Sequence, residues 1–110
     1  MDHPLAQPIR SVAAALPDAW EDHPWGETAF KVGKKVFVYV GAGETLNLTL
    51  KLRDRHDEAL AFPWVTPARY GLDRGGWVTC TPPADAPLEM VLGWIEESYH
   101  LVAPRRRTTG

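Results

Sequence analysis

Apolar residues recur at helical spacing in two segments, one near each end of the chain. The first segment contains Leu5, Ile9, Val12, Ala13 and Leu16. The second contains Leu88, Val91, Leu92, Ile95, Tyr99 and Val102. This spacing places the apolar side chains on one face of a helix, and Pro17 and Pro104 end the two segments. A third, shorter helix is predicted between an N-cap at Asp54 and the helix-breaking Pro63.

Between the terminal helices the pattern becomes that of β-strands. We predict three consecutive strands at residues 28–32, 35–40 and 45–52, with a turn at Gly33-Lys34 and a loop at 41–44. Two further strands, 68–72 and 76–81, flank a second turn, and residues 18–27 are predicted to form a loop. The order α-β(3)-α-β(2)-α predicts a two-layer α+β domain, with an antiparallel five-stranded sheet and helices on one face.

The turn lengths fix the strand register, and the register assigns each side chain to a face of the sheet. Counting from the turns pairs Lys31 with Val36, Phe30 with Phe37, Phe37 with Leu48 and Tyr39 with Leu46. The predicted core face carries Phe30, Val32, Phe37, Tyr39, Leu46, Leu48 and Leu50. The predicted outer face carries Ala29, Lys31, Val36, Val38, Val40, Thr45, Asn47, Thr49 and Lys51. In the second hairpin, one face carries Tyr70, Leu72, Trp77 and Thr79, opposite Val78 and Cys80.

Composition is that of a small globular domain. The chain has 110 residues, of which 45% are hydrophobic and 24% are charged, as is average for soluble proteins. We predict one domain over residues 1–104 and a frayed tail at 105–110. The sequence lacks the apolar runs of a signal peptide or a membrane span. The single cysteine, Cys80, cannot form an intramolecular disulfide, which suits a reducing compartment. We therefore expect a cytoplasmic protein, and no membrane partner.

Charge is unevenly distributed along the chain. The net charge is −2, but residues 31–74 carry eight basic and five acidic side chains between two segments that are net acidic. Such a distribution can create a basic surface on one side of a domain. Ordinary solvated charge is the simpler interpretation of the same distribution.

The sequence contains no recognisable catalytic or metal-binding motif. Its four histidines lack the spacing of metal ligands. Cys80 lies in the middle of a strand, where nothing nearby would lower its pKa. The acidic side chains near Asp18 lie in a predicted surface loop, whereas acid–base catalysis needs a cleft. We therefore expect a protein that is not an enzyme and that uses no cofactor and no metal.

Several short motifs, in order along the chain, resemble the MmcQ/YjbR family. They are LP at 16–17, PWG at 24–26, FKVGKKVF at 30–37, LTLK at 48–51, PARYGL at 67–72, GWVT at 76–79 and ESY at 97–99. The resemblance implies an α-β(3)-α-β(2)-α fold similar to that of secretion chaperones, in agreement with the order predicted above. Members of the family are commonly described as DNA-binding, so the resemblance also implies DNA binding.

Two binding functions fit these features. A nucleic-acid-binding domain would use the predicted outer face, where cations hold phosphates and aromatic rings stack on bases. Its candidate contacts to DNA or another nucleic acid are Lys31, Lys35, Lys51, Arg53, Arg69, Tyr70 and Trp77. The alternative is a protein-interaction domain, which forms a homodimer or binds a protein partner through the same face. Its apolar stripe would be Val36, Val38 and Val40.

Overall fold

The computed structural model describes residues 3–23, 27–41, 45–69 and 71–103. Within these ranges the α-helices are α1 (Ala6–Ala15), α2 (His56–Leu60) and α3 (Leu88–Val102). The strands are β1 (Ala19–Asp22), β2 (Thr28–Val32), β3 (Lys35–Gly41), β4 (Asn47–Lys51), β5 (Val65–Pro67) and β6 (Trp77–Cys80). A 3-10 helix, Leu72–Gly75, precedes β6. None of the described helices is long and apolar enough to cross a membrane.

The strands form one antiparallel sheet in the order β1-β2-β3-β4-β6-β5. The predicted α+β architecture is confirmed, but over the described part of the chain the sheet has six strands instead of the predicted five. The additional strand is β1, which lies in the predicted loop at 18–27 and pairs Ala19 with Val32. Its four residues, AWED, are too few and too acidic to show the alternation by which strands are predicted.

The second hairpin begins earlier than predicted. β5 covers residues 65–67 instead of 68–72, and Leu72 lies in the 3-10 helix. This helix is bounded by Gly71 and Gly76, which have φ angles of 78° and 88°. A Cβ at Gly76 would lie 2.4 Å from the carbonyl oxygen of Leu52, so only glycine fits there. The prediction that Trp77 and Thr79 lie on one face of the strand, and Val78 and Cys80 on the other, is confirmed.

The helices pack on one face of the sheet. Ile9 of α1 and Trp94 and Ile95 of α3 are fully buried in the same cluster as the strand residues of that face. The strand residues are Phe30, Phe37, Val38, Val40, Leu48, Leu50, Val78 and Cys80. The opposite face, called here the open face, carries half-buried side chains: Lys31, Val36, Tyr39, Thr49, Lys51, Trp77 and Thr79.

A β-bulge in β3 overturns the predicted register. Lys31 pairs with Val36, as the two-residue turn requires, but Phe30 pairs with Val38. Phe37 is therefore an extra residue, and the residues of β3 beyond it change faces. The predicted pairs of Phe37 and Tyr39 with β4 are also wrong, because Tyr39 lies opposite Thr49.

The change of face removes the predicted apolar stripe. Val38 and Val40 are 0% and 1% exposed and belong to the core, and only Val36 is half-buried on the open face. Tyr39, which was predicted to be in the core, takes their place on the open face. The surface on which the homodimer interpretation depended is therefore absent from the described face, although the oligomeric state itself remains a prediction.

The three consecutive residues Glu97, Ser98 and Tyr99 attach α3 to four other segments of the chain. Oε2 of Glu97 accepts backbone hydrogen bonds from Arg53, Asp54 and Arg55 at 2.7, 3.0 and 3.3 Å. This carboxylate replaces the predicted N-cap, because α2 is preceded by Arg55 and has no side-chain cap of its own. Ser98 bridges β3 and β4, and the Tyr99 hydroxyl donates to the carbonyl of Pro17 at 2.6 Å.

Candidate nucleic-acid interface

The open face contains a cleft of about 320 Å³ at the end of the sheet where β3 begins and β4 ends. Its walls include Lys35, Val36, Tyr39, Lys51, Leu72 and Trp77. Leu101 and Val102, at the C-terminal end of α3, also line it. The cleft therefore opens beside the bulge and reaches through the sheet end toward the last turn of α3.

Ser98 explains why the strands separate at this point. The backbone N–H of Lys51 donates to Oγ of Ser98 at 2.8 Å, and the same hydroxyl donates to the carbonyl oxygen of Phe37. Ser98 is fully buried. The hydroxyl of Ser98 thus lies between β3 and β4. It follows directly after Val38 and Leu50, the pair that ends the ladder of these two strands on this side. Beyond this pair the two strands are not paired, and Val36 and Lys51 both line the cleft there.

The walls of the cleft combine positive charge with aromatic rings. Lys51 of β4 lies directly opposite Trp77 of β6, and Tyr39 is on the neighbouring strand. Lys35 is exposed at the start of β3. Among the described residues, neither Lys35 nor Lys51 forms an ion pair. This arrangement suits a ligand that has both anionic groups and flat aromatic rings.

Lys31, a predicted contact, is already engaged elsewhere on the open face. Its Nζ lies 2.7 Å from Oδ2 of Asp22 and 5.2 Å from the centroid of the Trp20 ring. The hydrogen bond from Lys31, followed by that from the backbone of His23, lowers the pKa of Asp22 below its ordinary value. Asp22 therefore remains ionised and neutralises Lys31 at neutral pH.

The other predicted contacts lie outside the cleft. Arg53 is exposed, with its Nε 3.3 Å from Oδ1 of Asp54. It lines a separate cavity of about 390 Å³ together with Asp54, Glu97 and His100. Arg69 is exposed beyond the end of β5, and Tyr70 lies outside the described residues. Of the seven predicted contacts, the structure brings Lys35, Lys51 and Trp77 together.

Tyr39 and Leu72 are among the cleft residues that were not predicted as contacts. Tyr39 was assigned to the core because the bulge was not anticipated, and Leu72 was assigned to a strand. The one signal of the bulge is the uninterrupted apolar run Val36-Phe37-Val38, which breaks the alternation of a half-buried strand. Leu72 lies in the 3-10 helix and is 40% exposed.

Cys80 lies on the core face of β6, away from the cleft. It is fully buried, and desolvation raises the pKa of its thiol to about 12. A neutral, buried thiol is a poor nucleophile. Over the part of the chain that the structure describes, no group of three or more His, Cys, Asp or Glu side chains could hold a metal ion.

The sequence and the fold of this chain are both similar to those of known proteins. The family model described as YjbR matches residues 14–101. Among solved structures, the crystal structure of Deinococcus radiodurans protein DR2400, with the family domain DUF419, is similar at a TM-score of 0.72 and 30% identity. The alignment covers 87% of this chain and 76% of that chain. No curated protein matches the sequence.

Proposed function

This chain belongs to the YjbR family, and from that membership and the cleft we propose that it is a non-enzymatic domain that binds single-stranded nucleic acid. One observation supports the proposal most strongly. Lys35 and Lys51, without ion pairs among the described residues, line the same cleft as the rings of Tyr39 and Trp77. Lysines bind phosphates, and aromatic rings stack on bases.

The cleft favours a single strand over a duplex. At about 320 Å³, its volume is at the lower end of the range for small-molecule pockets, so it can accept one base but not a helix. Stacking on Tyr39 or Trp77 requires that the flat side of a base be accessible. In a duplex those sides are covered by neighbouring base pairs, whereas an unpaired base can be splayed out.

The charge distribution supports the same ligand. The chain is net negative, so a nonspecific attraction of the whole domain for nucleic acid is not expected. Binding must depend on local positive charge, and the described cleft has basic side chains but no acidic side chain in its walls. The neighbouring cavity beside Arg53 contains Asp54 and Glu97, which would repel phosphates.

A binding role is also supported by the state of the one potential nucleophilic thiol. The pKa of Cys80 is raised by burial, and the side chain lies on the core face, away from the cleft. The walls of the cleft offer lysines, a tyrosine and a tryptophan. These groups suit recognition of a nucleic-acid strand. Among the described residues, none of them is hydrogen-bonded to a general base that would activate it as a nucleophile.

The proposal is tested by the affinity for a fluorescently labelled single strand of about 12 nucleotides, a length within the site sizes of single-strand binders, at low salt. We expect Lys51→Gln to weaken binding several-fold. Lys34→Gln is the matched control, because it removes the same charge from the exposed turn outside the cleft. Equal losses for the two variants, or no binding by the wild type, would contradict the proposal. Binding of duplex that equals binding of single strand would contradict its choice of ligand.

A further inference from the structure

The strand registers align two tryptophans at opposite ends of one row across the open face. Trp20 of β1 lies opposite Lys31, and Lys31 lies opposite Val36. Beyond the cleft, Lys51 lies opposite Trp77 of β6. Val36 and Lys51, which join the two halves of the row, both line the cleft. The row therefore crosses five neighbouring strands, and at about 4.8 Å per paired strand its two tryptophans are at least about 19 Å apart.

The exposed apolar side chains are concentrated at the ends of this row. In the described ranges, the large hydrophobic residues that are clearly exposed are Trp20, at 45%, and Leu72, at 40%. Trp20 is at the β1 end, and Leu72 lines the cleft together with Trp77 at the other end. Each end of the row thus offers exposed apolar surface to a ligand, with lysines between the two ends.

The ring of Trp20 is held in place although it is exposed. Its Nε1 donates a hydrogen bond to the carbonyl oxygen of Gly33 at 2.9 Å. Nζ of Lys31 lies 5.2 Å from its centroid, and Asp22 in turn holds Lys31 at 2.7 Å. A ring that is already fixed loses little conformational entropy when a ligand binds.

We propose that Trp20 is a second base-stacking platform, and that a bound single strand crosses the open face from the cleft to Trp20, perpendicular to the β-strands. This inference rests on the proposed function. Because Asp22 neutralises Lys31, the Trp20 end supplies stacking without net charge. The cleft supplies both stacking and the phosphate contacts of Lys35 and Lys51.

This division of roles gives a distinctive dependence on ligand length. A dinucleotide can occupy the cleft but cannot reach Trp20, whereas an oligothymidylate of about 12 nucleotides can contact both ends. We expect Trp20→Ala to weaken binding of the long oligothymidylate by roughly 5- to 150-fold, the range for one stacked base. Its affinity for the dinucleotide, and the salt dependence of binding, should remain those of the wild type.

Two further variants separate stacking from a structural effect of Trp20. Trp20→Phe retains an aromatic ring but loses the hydrogen bond to Gly33, so it should retain most of the affinity for the long strand. Trp77→Ala should weaken binding of both ligands, because Trp77 lines the cleft. Circular dichroism of each variant shows whether it is folded.

The outcomes distinguish this inference from the function on which it rests. If Trp20→Ala binds the long strand as tightly as the wild type while Trp77→Ala does not, the path to Trp20 is wrong. The proposed function of the cleft is then still supported. If Trp20→Ala weakens both lengths equally, or Trp20→Phe is as weak as Trp20→Ala, Trp20 acts through the structure and the inference is also wrong. If the wild type binds neither oligonucleotide, the proposed function fails and this inference fails with it.

Discussion

The hydroxyl of Ser98 donates a hydrogen bond to the carbonyl oxygen of Phe37, the residue inserted by the bulge in β3. The same hydroxyl accepts the backbone N–H of Lys51. One buried side chain of α3 thus satisfies two strand groups that the bulge separates from each other. Since unpaired buried backbone groups are strongly unfavourable, Ser98 stabilises the bulge and, through it, the position of the cleft.

We expect Ser98→Ala to lower the free energy of unfolding by about 1–3 kcal/mol, because it leaves both backbone groups without that partner. Urea denaturation monitored by tryptophan fluorescence measures the change. Ser11→Ala, on the exposed surface of α1, is the control and should change the free energy by less than about 0.5 kcal/mol. Similar losses in the two variants would show that the Ser98 bridge does not stabilise the bulge.

The register of β3 is tested by placing the same charge at two positions two residues apart. Val38 is fully buried, so Val38→Lys places an unpaired charge in the core and should unfold the domain. Val36 is half-buried in the cleft wall, where the ammonium of Val36→Lys can reach water. Thermal denaturation followed by circular dichroism compares the variants. If Val38→Lys were folded and Val36→Lys unfolded, the register predicted from the turn lengths would be right and the observed register would be wrong.

Burial of Cys80 should make stability fall at high pH. Its folded pKa of about 12 lies above the ordinary value of 9.0, so the folded state retains the proton that the unfolded state releases. The resulting stabilisation is complete below pH 9 and is lost as the pH rises toward 12. Urea denaturation across this range should show a smaller decline for Cys80→Ala than for the wild type. Parallel declines would contradict the raised pKa.

The same burial predicts low reactivity of the thiol in the native state. At pH 8 an aromatic disulfide reagent should modify Cys80 only as fast as the domain opens, because reaction requires an accessible thiolate. Addition of urea above the unfolding midpoint should make modification rapid. Immediate modification of the native protein would show that Cys80 is accessible.

The fold class could be predicted from the sequence because it depends on periodicity. Alternation in LTLK and helical spacing in the last segment locate β4 and α3, and the tight turn at Gly33-Lys34 correctly pairs Lys31 with Val36. Beyond that pair, local rules fail. The bulge at Phe37 depends on a hydroxyl supplied from α3, 61 residues later in the chain, and neither turn length nor alternation contains that information.

The candidate site was predictable only in part, for the same reason. Lys51 and Trp77 alternate with core residues in well-formed strands, so their place on the open face follows from the pattern. Tyr39 reaches that face only through the bulge. The pairing of Lys31 with Asp22 depends on β1, a strand whose four residues give no periodic signal.

Phosphate binding by Lys35 and Lys51 is measured by the salt dependence of the affinity for a single strand. Each phosphate neutralised on a single strand contributes about −0.7 to the slope of log K against log salt concentration. Two contacts should therefore give a slope of about −1.4, and Lys51→Gln should reduce it by about 0.7. Replacing the three arginines at 105–107 with glutamine is the control and should leave the slope unchanged.

A wild-type slope of about −3 would require the four contacts Lys31, Lys35, Lys51 and Arg53, two of which are paired with carboxylates in the structure. A slope that Lys51→Gln does not change, or that disappears when residues 105–107 are replaced, would place the phosphates outside the cleft. If the cleft binds the phosphates, the slope is about −1.4 and depends on Lys51.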